Sequence, residues 1–324
     1  MLLLLLLLLL LLLLLLLLLG GALYFVFVVK RLRCKSSAKL HGKTVIITGA
    51  NTGIGKTTAM DLARRGGRVI LACRDRRRAE AVVQEIIQET QNKQVIFMQL
   101  DLASLKSVRS FANNFLRSES RLDLLINNAG LLNSGKTEDG FGMIFGVNHL
   151  GHFLLTMLLL DRLKASGPSR VVNVSSKAFE AGKVDLTFLR THRDLSVGSN
   201  DFQLLCKYSH SKLCNNLFTY ELAKRLQGSD VTCYSLHPGY VKTEIFRNFS
   251  FWWKILFYFS QIISKDAESG CQTTLHCALE QGIEHLSGHF FSECAPELNI
   301  TAKARDDAVA KKLWELSETF CGLS

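Results

Sequence analysis

The 324-residue chain carries 39 Lys and Arg against 28 Asp and Glu, a net charge of +11, and 48% of its residues are apolar with 21% charged. That balance excludes a disordered or fibrous chain, and only 3 prolines exclude Pro-rich linkers between modules. Its 9 cysteines are odd in number and lack paired spacing, which points to reduced thiols in a cytosol-facing protein, not a disulfide framework.

Leucine fills positions 2 to 19, and no formal charge occurs from Leu2 to Val29. As a helix that stretch is about 42 Å long, enough to cross a hydrocarbon core of ~30 Å. A cleavable signal peptide has a basic start and an apolar run of ~7–15 residues, so secretion is the lesser reading. Lys30, Arg31, Arg33 and Lys35 follow at once, which places the C-terminal side in the cytosol by the positive-inside rule. The expected layout is a transmembrane anchor over 1–29, a basic juxtamembrane linker over 30–42 and one large domain over 43–324, on the endoplasmic reticulum membrane facing the cytosol. The linker cluster supplies four of the net charges and the remaining basic residues are dispersed, so nucleic acid is not an expected partner. Asn248-Phe-Ser250 and Asn299-Ile-Thr301 match glycosylation acceptors, usable only by a lumenal domain.

From Thr44 onward short β-branched runs alternate with longer helical patterns. Strands are expected at 44–47, 69–72, 95–98, 124–126, 171–174, 232–236 and 289–291, with helices at 55–65, 76–89, 104–116, 145–164 and 203–226. Apolar runs without polar alternation suit parallel strands covered on both faces. The βαβαβ rhythm predicts an α/β fold of Rossmann type, a doubly wound parallel sheet of about seven strands with ligands at the carboxyl ends.

Directly after the first strand stands Thr48-Gly49-Ala50-Asn51-Thr52-Gly53-Ile54-Gly55. Three glycines permit a tight turn, close approach of a pyrophosphate and helix-on-strand packing, while the helix N-terminus attracts the anion. The second strand ends at Arg74, where an acidic residue would hold a ribose 2′-hydroxyl; an Arg suits a 2′-phosphate and predicts NADP(H). Asp101-Leu102 after the third strand suits the adenine, or else Asp101 is an ordinary N-cap. Asn127-Asn128-Ala129-Gly130 ends the fourth strand with small and amide residues that allow cofactor approach. Asn148 lies in an apolar helix, where an amide needs a partner. Tyr208 and Lys212, four apart, share a helix face, and a nearby cation favours phenolate. They follow a strand ending Asn173-Val174-Ser175-Ser176, whose hydroxyls stand at the carboxyl edge. His285 and His289 lack the Glu of a zinc-protease motif, and no metal site is expected.

Taken together, these motifs resemble the short-chain dehydrogenase/reductase family from about Lys43 to Phe291. The resemblance implies catalytic roles for Asn148, Ser176, Tyr208 and Lys212, and adds Pro238, Gly239 and Thr243 beside the nicotinamide. Tyr208 and Lys212 would also touch the cofactor. The N-terminal anchor, Leu-Ala-Cys-Arg at the second strand and His-Ser-Lys-Leu after Tyr208 look like the membrane-bound retinol dehydrogenase group. Ser176 and Tyr208 are 32 positions apart, longer than in compact members, and the choice between Ser175 and Ser176 stays open.

The expected reaction is hydride transfer between NADP(H) and a lipophilic alcohol or carbonyl, retinal/retinol or a lipid aldehyde. The aromatic run at 249–259 suggests an interfacial segment through which a bilayer-dissolved substrate enters, or an ordinary core or dimer helix; a homodimer is compatible with the sequence. The alternative reading is a membrane-tethered, cofactor-binding scaffold with little or no turnover.

Overall fold

The computed structural model describes residues 2–27, 32–184, 200–242 and 264–323. The leucine tract forms α1 (Leu2–Phe27), whose 26 residues extend about 39 Å. Its window Leu4–Gly21 has a mean hydropathy of 3.3 with 0% buried, so length and composition allow it to cross a membrane. The stretch α5 (Met143–Ser166) passes the same composition test but is 78% buried; it is a core helix.

Seven strands pair in parallel in the order β3-β2-β1-β4-β5-β6-β7. They are β1 (Thr44–Thr48), β2 (Arg68–Cys73), β3 (Val95–Gln99), β4 (Leu124–Asn127), β5 (Ser169–Val174), β6 (Val231–His237) and β7 (Phe290–Ser292). Those are the seven expected from the sequence. An eighth, β8 (Ala295–Pro296), returns antiparallel to β7; with 2 residues it is too short to show a period.

Alternate residues of each strand enter different cores. Ile46 packs with Phe111, Phe153 and Leu217, whereas Val45 and Ile47 pack with Leu62, Val83 and Leu275. Helices α4 (Leu105–Ser118), α5 and α6 (Asp201–Arg225) cover the first face; α2 (Gly53–Arg64), α3 (Arg76–Thr90) and α8 (Gln272–Leu279) cover the second. Burial on both sides is the reason the strands read as unbroken apolar runs. Between α6 and α8 in the chain lies the short α7 (Ala267–Gly270). The last helix, α9 (Asp307–Cys321), lies over α5 and α6. Its Trp314 is 3% exposed, with the ring 5.1 Å from Phe153 and 5.8 Å from Phe218.

The described part of the linker lies on the domain. Arg33 Nη1 donates to Ser269 Oγ at 3.1 Å and the Cys34 amide to Gln272 Oε1 at 3.0 Å. Arg65 donates to the carbonyls of Ser36 and Ala38 at 2.7 and 3.1 Å, and Leu40 is buried. A basic run does not reveal such packing in a sequence, because the partners are mostly backbone carbonyls and remote polar side chains. All nine cysteines are free thiols.

At the strand starts, buried Asp123 accepts from the Thr44 amide at 2.8 Å, from Lys43 at 2.9 Å and from Arg121 at 2.6 and 2.8 Å. Burial raises its carboxyl pKa, but Arg121, the Thr44 amide and Lys43 overcome that and hold it below the ordinary value. At the opposite edge, β1 leads to β2 on one side and has β4 on the other, which opens a crevice at the carboxyl ends.

Candidate active site

The turn from Thr48 to Gly55 lines this crevice. Gly53 has φ +53 where α2 begins, and a Cβ on Gly55 would lie 2.5 Å from both Asn128 Nδ2 and Gly49 O. Only glycine lets the helix start this close to the β4 turn. Thr52, the N-cap, makes no side-chain cap hydrogen bond, so the first amides of α2 keep their capacity for an external anion. Asn51, Thr52 and Ile54 belong to that open turn.

One hydroxyl joins the two glycine-containing turns. Thr48 Oγ1 accepts from the Asn128 and Ala129 amides, each at 2.9 Å, and Asn128 Nδ2 donates to Thr48 O at 2.8 Å. Thr48 Oγ1 also lies 2.9 Å from His152 Nε2. Neither Thr48 nor His152 carried a role in the sequence reading. Thr48 was legible only as part of the glycine motif, and His152 only as a polar interruption of an apolar helix.

Asn148 sits in a π-helical turn, Gly146–Leu150, inside α5. Its side chain is fully buried and satisfied: Oδ1 accepts from the Leu131 amide at 2.9 Å, and Nδ2 donates to Leu131 O at 3.0 Å and Ser211 Oγ at 3.1 Å. The amide therefore has the partners that an apolar helix made necessary, and it ties the segment after Gly130 to α6. A π-turn adds one residue to the helix and commonly marks a functional position.

On α6, Lys212 is 3% exposed and donates from Nζ to Val174 O at 2.8 Å. Burial lowers its ammonium pKa to about 8. Nζ stands 5.4 Å from the Tyr208 ring centroid. Burial pushes the Tyr208 phenol up to about 12, and the hydrogen bond with Ser176 acts against it. In this structure the group that favours phenolate is thus Ser176, while Lys212 lies over the ring face. A Cβ on Gly130 would come to 3.6 Å from Lys212 Nζ and 3.8 Å from Asn148 Oδ1, an ordinary contact distance that places Gly130 beside both groups.

The two candidate serines differ in surroundings. Ser175 Oγ is buried and donates to Lys212 O at 2.9 Å. Ser176 is partly exposed, hydrogen-bonds Tyr208, and caps the following 3₁₀ turn, Lys177–Ala181, through the Ala178 amide at 3.2 Å.

Other predicted residues ring the same edge without touching this cluster. Arg74 directly follows β2 and is exposed, and its guanidinium has no hydrogen-bond or ion-pair partner among the described residues. Asp101 is not the N-cap of α4. That place is taken by Ser104, while Asp101 Oδ1 accepts from the Ala103 amide at 2.9 Å. Leu102 is buried, its carbonyl 2.7 Å from where a Cβ on Gly151 would stand. Pro238 and Gly239 follow β6, with Gly239 at φ +90. Beside it the buried Lys265, unnoticed in the sequence, pairs with Glu293, and its backbone bonds to Tyr240 and Lys242. Thr243, the aromatic run 249–259 and residues 185–199 of the long connection lie outside the described residues.

Comparison with known proteins identifies the family of the chain. Residues 43–187 match the family described as short chain dehydrogenase. The chain is 49% identical over 296 residues to retinol dehydrogenase 11 of Homo sapiens, covering 90% of this chain and 89% of that protein. It is 50% identical over 307 residues to dehydrogenase/reductase SDR family member 13 of Bos taurus, covering 94% and 80% respectively. A crystal structure of an uncharacterised protein from Mycobacterium Paratuberculosis superposes with a TM-score of 0.68 at 36% identity, covering 88% of this chain and 95% of that one. The glycine-rich turn, the N-N-A-G turn and the paired Tyr and Lys thus stand in a chain that belongs to the short-chain dehydrogenase/reductase family, oxidoreductases that use a nicotinamide cofactor.

Proposed function

We propose that this protein is an NADP(H)-dependent oxidoreductase that interconverts a lipophilic alcohol and its aldehyde or ketone, with retinal/retinol or a lipid aldehyde as substrate. The observation that carries the reading is the convergence of Asn148, Ser176, Tyr208 and Lys212 beside the glycine-lined crevice. The uncapped start of α2 and the unpartnered Arg74 fit a dinucleotide with a 2′-phosphate: the α2 amides take the pyrophosphate and the guanidinium the extra phosphate. The nicotinamide supplies or accepts the hydride.

The residues of the chain handle the proton and the geometry. Ser176 donates to the substrate oxygen and fixes it next to the Tyr208 hydroxyl. Tyr208 gives its proton in carbonyl reduction and takes one in alcohol oxidation; positioned proton transfer of this kind contributes about 10²–10⁴-fold. Lys212, held by Val174 O, presents its ammonium to the ribose and replenishes the proton. Asn148 holds the segment beyond Gly130 against α6 and so shapes the floor beneath these groups. The helix α1 anchors the domain in a membrane, endoplasmic reticulum with the domain in the cytosol, where a substrate dissolved in the bilayer is close at hand.

The test is NADPH consumption by the full chain in microsomes with retinal, medium-chain aldehydes and steroid ketones. Tyr208→Phe is expected to remove turnover while NADPH binding stays nearly unchanged. Retained turnover in Tyr208→Phe overturns the mechanism, service by NADH alone overturns the reading of Arg74, and NADPH binding without any turnover in the native chain leaves a scaffold.

A further inference from the structure

His152 belongs to none of the motifs above, yet it is 3% exposed and bonded at both ring nitrogens. Nε2 lies 2.9 Å from Thr48 Oγ1 and Nδ1 lies 3.2 Å from the Asn148 carbonyl. The hydrogen-bond count sets the tautomer. Both lone pairs of Thr48 Oγ1 are taken by the Asn128 and Ala129 amides. Its hydrogen must therefore leave, either to His152 Nε2 at 2.9 Å or to Ile126 O at 3.5 Å, and the shorter contact wins. Nε2 is then the acceptor, and Nδ1 carries the hydrogen that it donates to Asn148 O. Burial acts in the same direction and lowers the imidazole pKa to about 4, so the ring stays neutral.

We infer that His152 is a positioning residue: it bridges the Thr48 hydroxyl of the dinucleotide turn and the carbonyl of the Asn148 π-turn, and so holds the cofactor site and the proton-handling site in one register. The two arms have separable effects. With no acceptor at Nε2, the Thr48 hydroxyl turns toward Ile126 O and its lone pairs swing away from the Asn128 and Ala129 amides, which loosens the wall facing Gly49. With no donor at Nδ1, the π-turn can relax by one residue toward an α-helix. That would rotate Asn148 away from Leu131 and Ser211, its three side-chain bonds.

This inference rests on the proposed oxidoreductase reading for its kinetic arm and on the fold alone for its binding arm. Asn and Gln each imitate one imidazole nitrogen. Gln reaches the Nε2 position and can accept from Thr48; Asn reaches the Nδ1 position and can donate to Asn148 O. In the full chain, His152→Gln is expected to keep NADPH affinity within about twofold and lose about tenfold in kcat. His152→Asn is expected to weaken NADPH binding about tenfold and keep kcat at saturating NADPH within about twofold, each loss being that of roughly one hydrogen bond. Hydrogen exchange in the cofactor-free protein supplies a readout independent of turnover. Amides 128–129 should exchange faster in His152→Asn, and amides around 146–150 in His152→Gln.

If the native chain binds NADPH but turns nothing over, the oxidoreductase reading fails while the affinity and exchange arms still decide the role of His152. Equal losses in both variants that follow the drop in melting temperature, or no change in any readout, would show that His152 only fills space. His152→Phe, which fills the space without either nitrogen, is expected to combine both losses.

Discussion

Two buried charged groups stand at opposite ends of the same sheet and are treated in opposite ways. Asp123, at the strand starts, has a backbone amide and two cations around it, and its carboxyl is held in the charged form. Lys212, beside the carboxyl end of β5, has one carbonyl and a ring face, and its ammonium is pushed toward neutrality. A fully partnered charge serves the fold. One left short of partners costs stability and gains the capacity to give up a proton near neutral pH, which is the signature expected of a group kept for chemistry.

The largest expected effect comes from removing the underpartnered charge. Lys212→Met should lower turnover by at least about 10²-fold and yet raise the melting temperature of the cofactor-free protein by a few degrees, since roughly 2–4 °C accompanies each kcal/mol in a domain of this size. A variant that loses activity and stability together would erase the contrast with Asp123. Next in size, Ser176→Ala should cost about 10²-fold in kcat, whereas Ser175→Ala should cost stability of about 1 kcal/mol with turnover largely kept. An inverted result would assign the catalytic hydroxyl to Ser175.

At the other edge, Asp123→Asn should destabilise by about 2–3 kcal/mol in urea titration with kcat nearly intact, because its charge-assisted bonds to three residues weaken at once. Its carboxyl pKa is depressed on folding. The stabilisation it provides is therefore present above the unfolded carboxyl pKa and lost as pH falls through the folded one. Arg74→Ala, which touches neither charge, should weaken NADPH binding about tenfold and NADH binding little.

The smallest effect sharpens the comparison through pH. Lys212 has a folded pKa of about 8 against an ordinary 10.5. Between those values the unfolded chain binds more protons, so this group adds stability as pH rises. The difference in stability between Lys212→Met and the native chain should accordingly narrow from pH 8 to 10.5. A constant difference would mean that the lysine is not an uncompensated charge.

Much of the site was legible because it is written in short spacings. Gly53 and Gly55 mark a turn and a helix start, and Tyr208 and Lys212 sit one helical turn apart; neighbours in the chain determine both. The choice between Ser175 and Ser176 was not legible, since adjacent residues at a strand end diverge only when the strand's direction is known. Nor could spacing tell that Lys212 answers to Val174 O, or that the phenol's lowering contact comes from Ser176 across the long connection. The seven parallel strands followed from apolar runs of period one; the two-residue β8 left no such trace.

The sequence alone determined the alternation of strands and helices, the glycine-rich turn after the first strand and the helix face shared by Tyr208 and Lys212, because periodicity and local spacing obey backbone geometry. Tertiary structure decided which polar atoms are satisfied. The docking of residues 33–40 on the domain, the Thr48 hydroxyl shared by two turns, and the His152 bridge to Asn148 all join atoms far apart in the chain. Partners of that kind exist only once the helices have packed on the sheet and excluded water, which makes each remaining donor find an acceptor inside the protein.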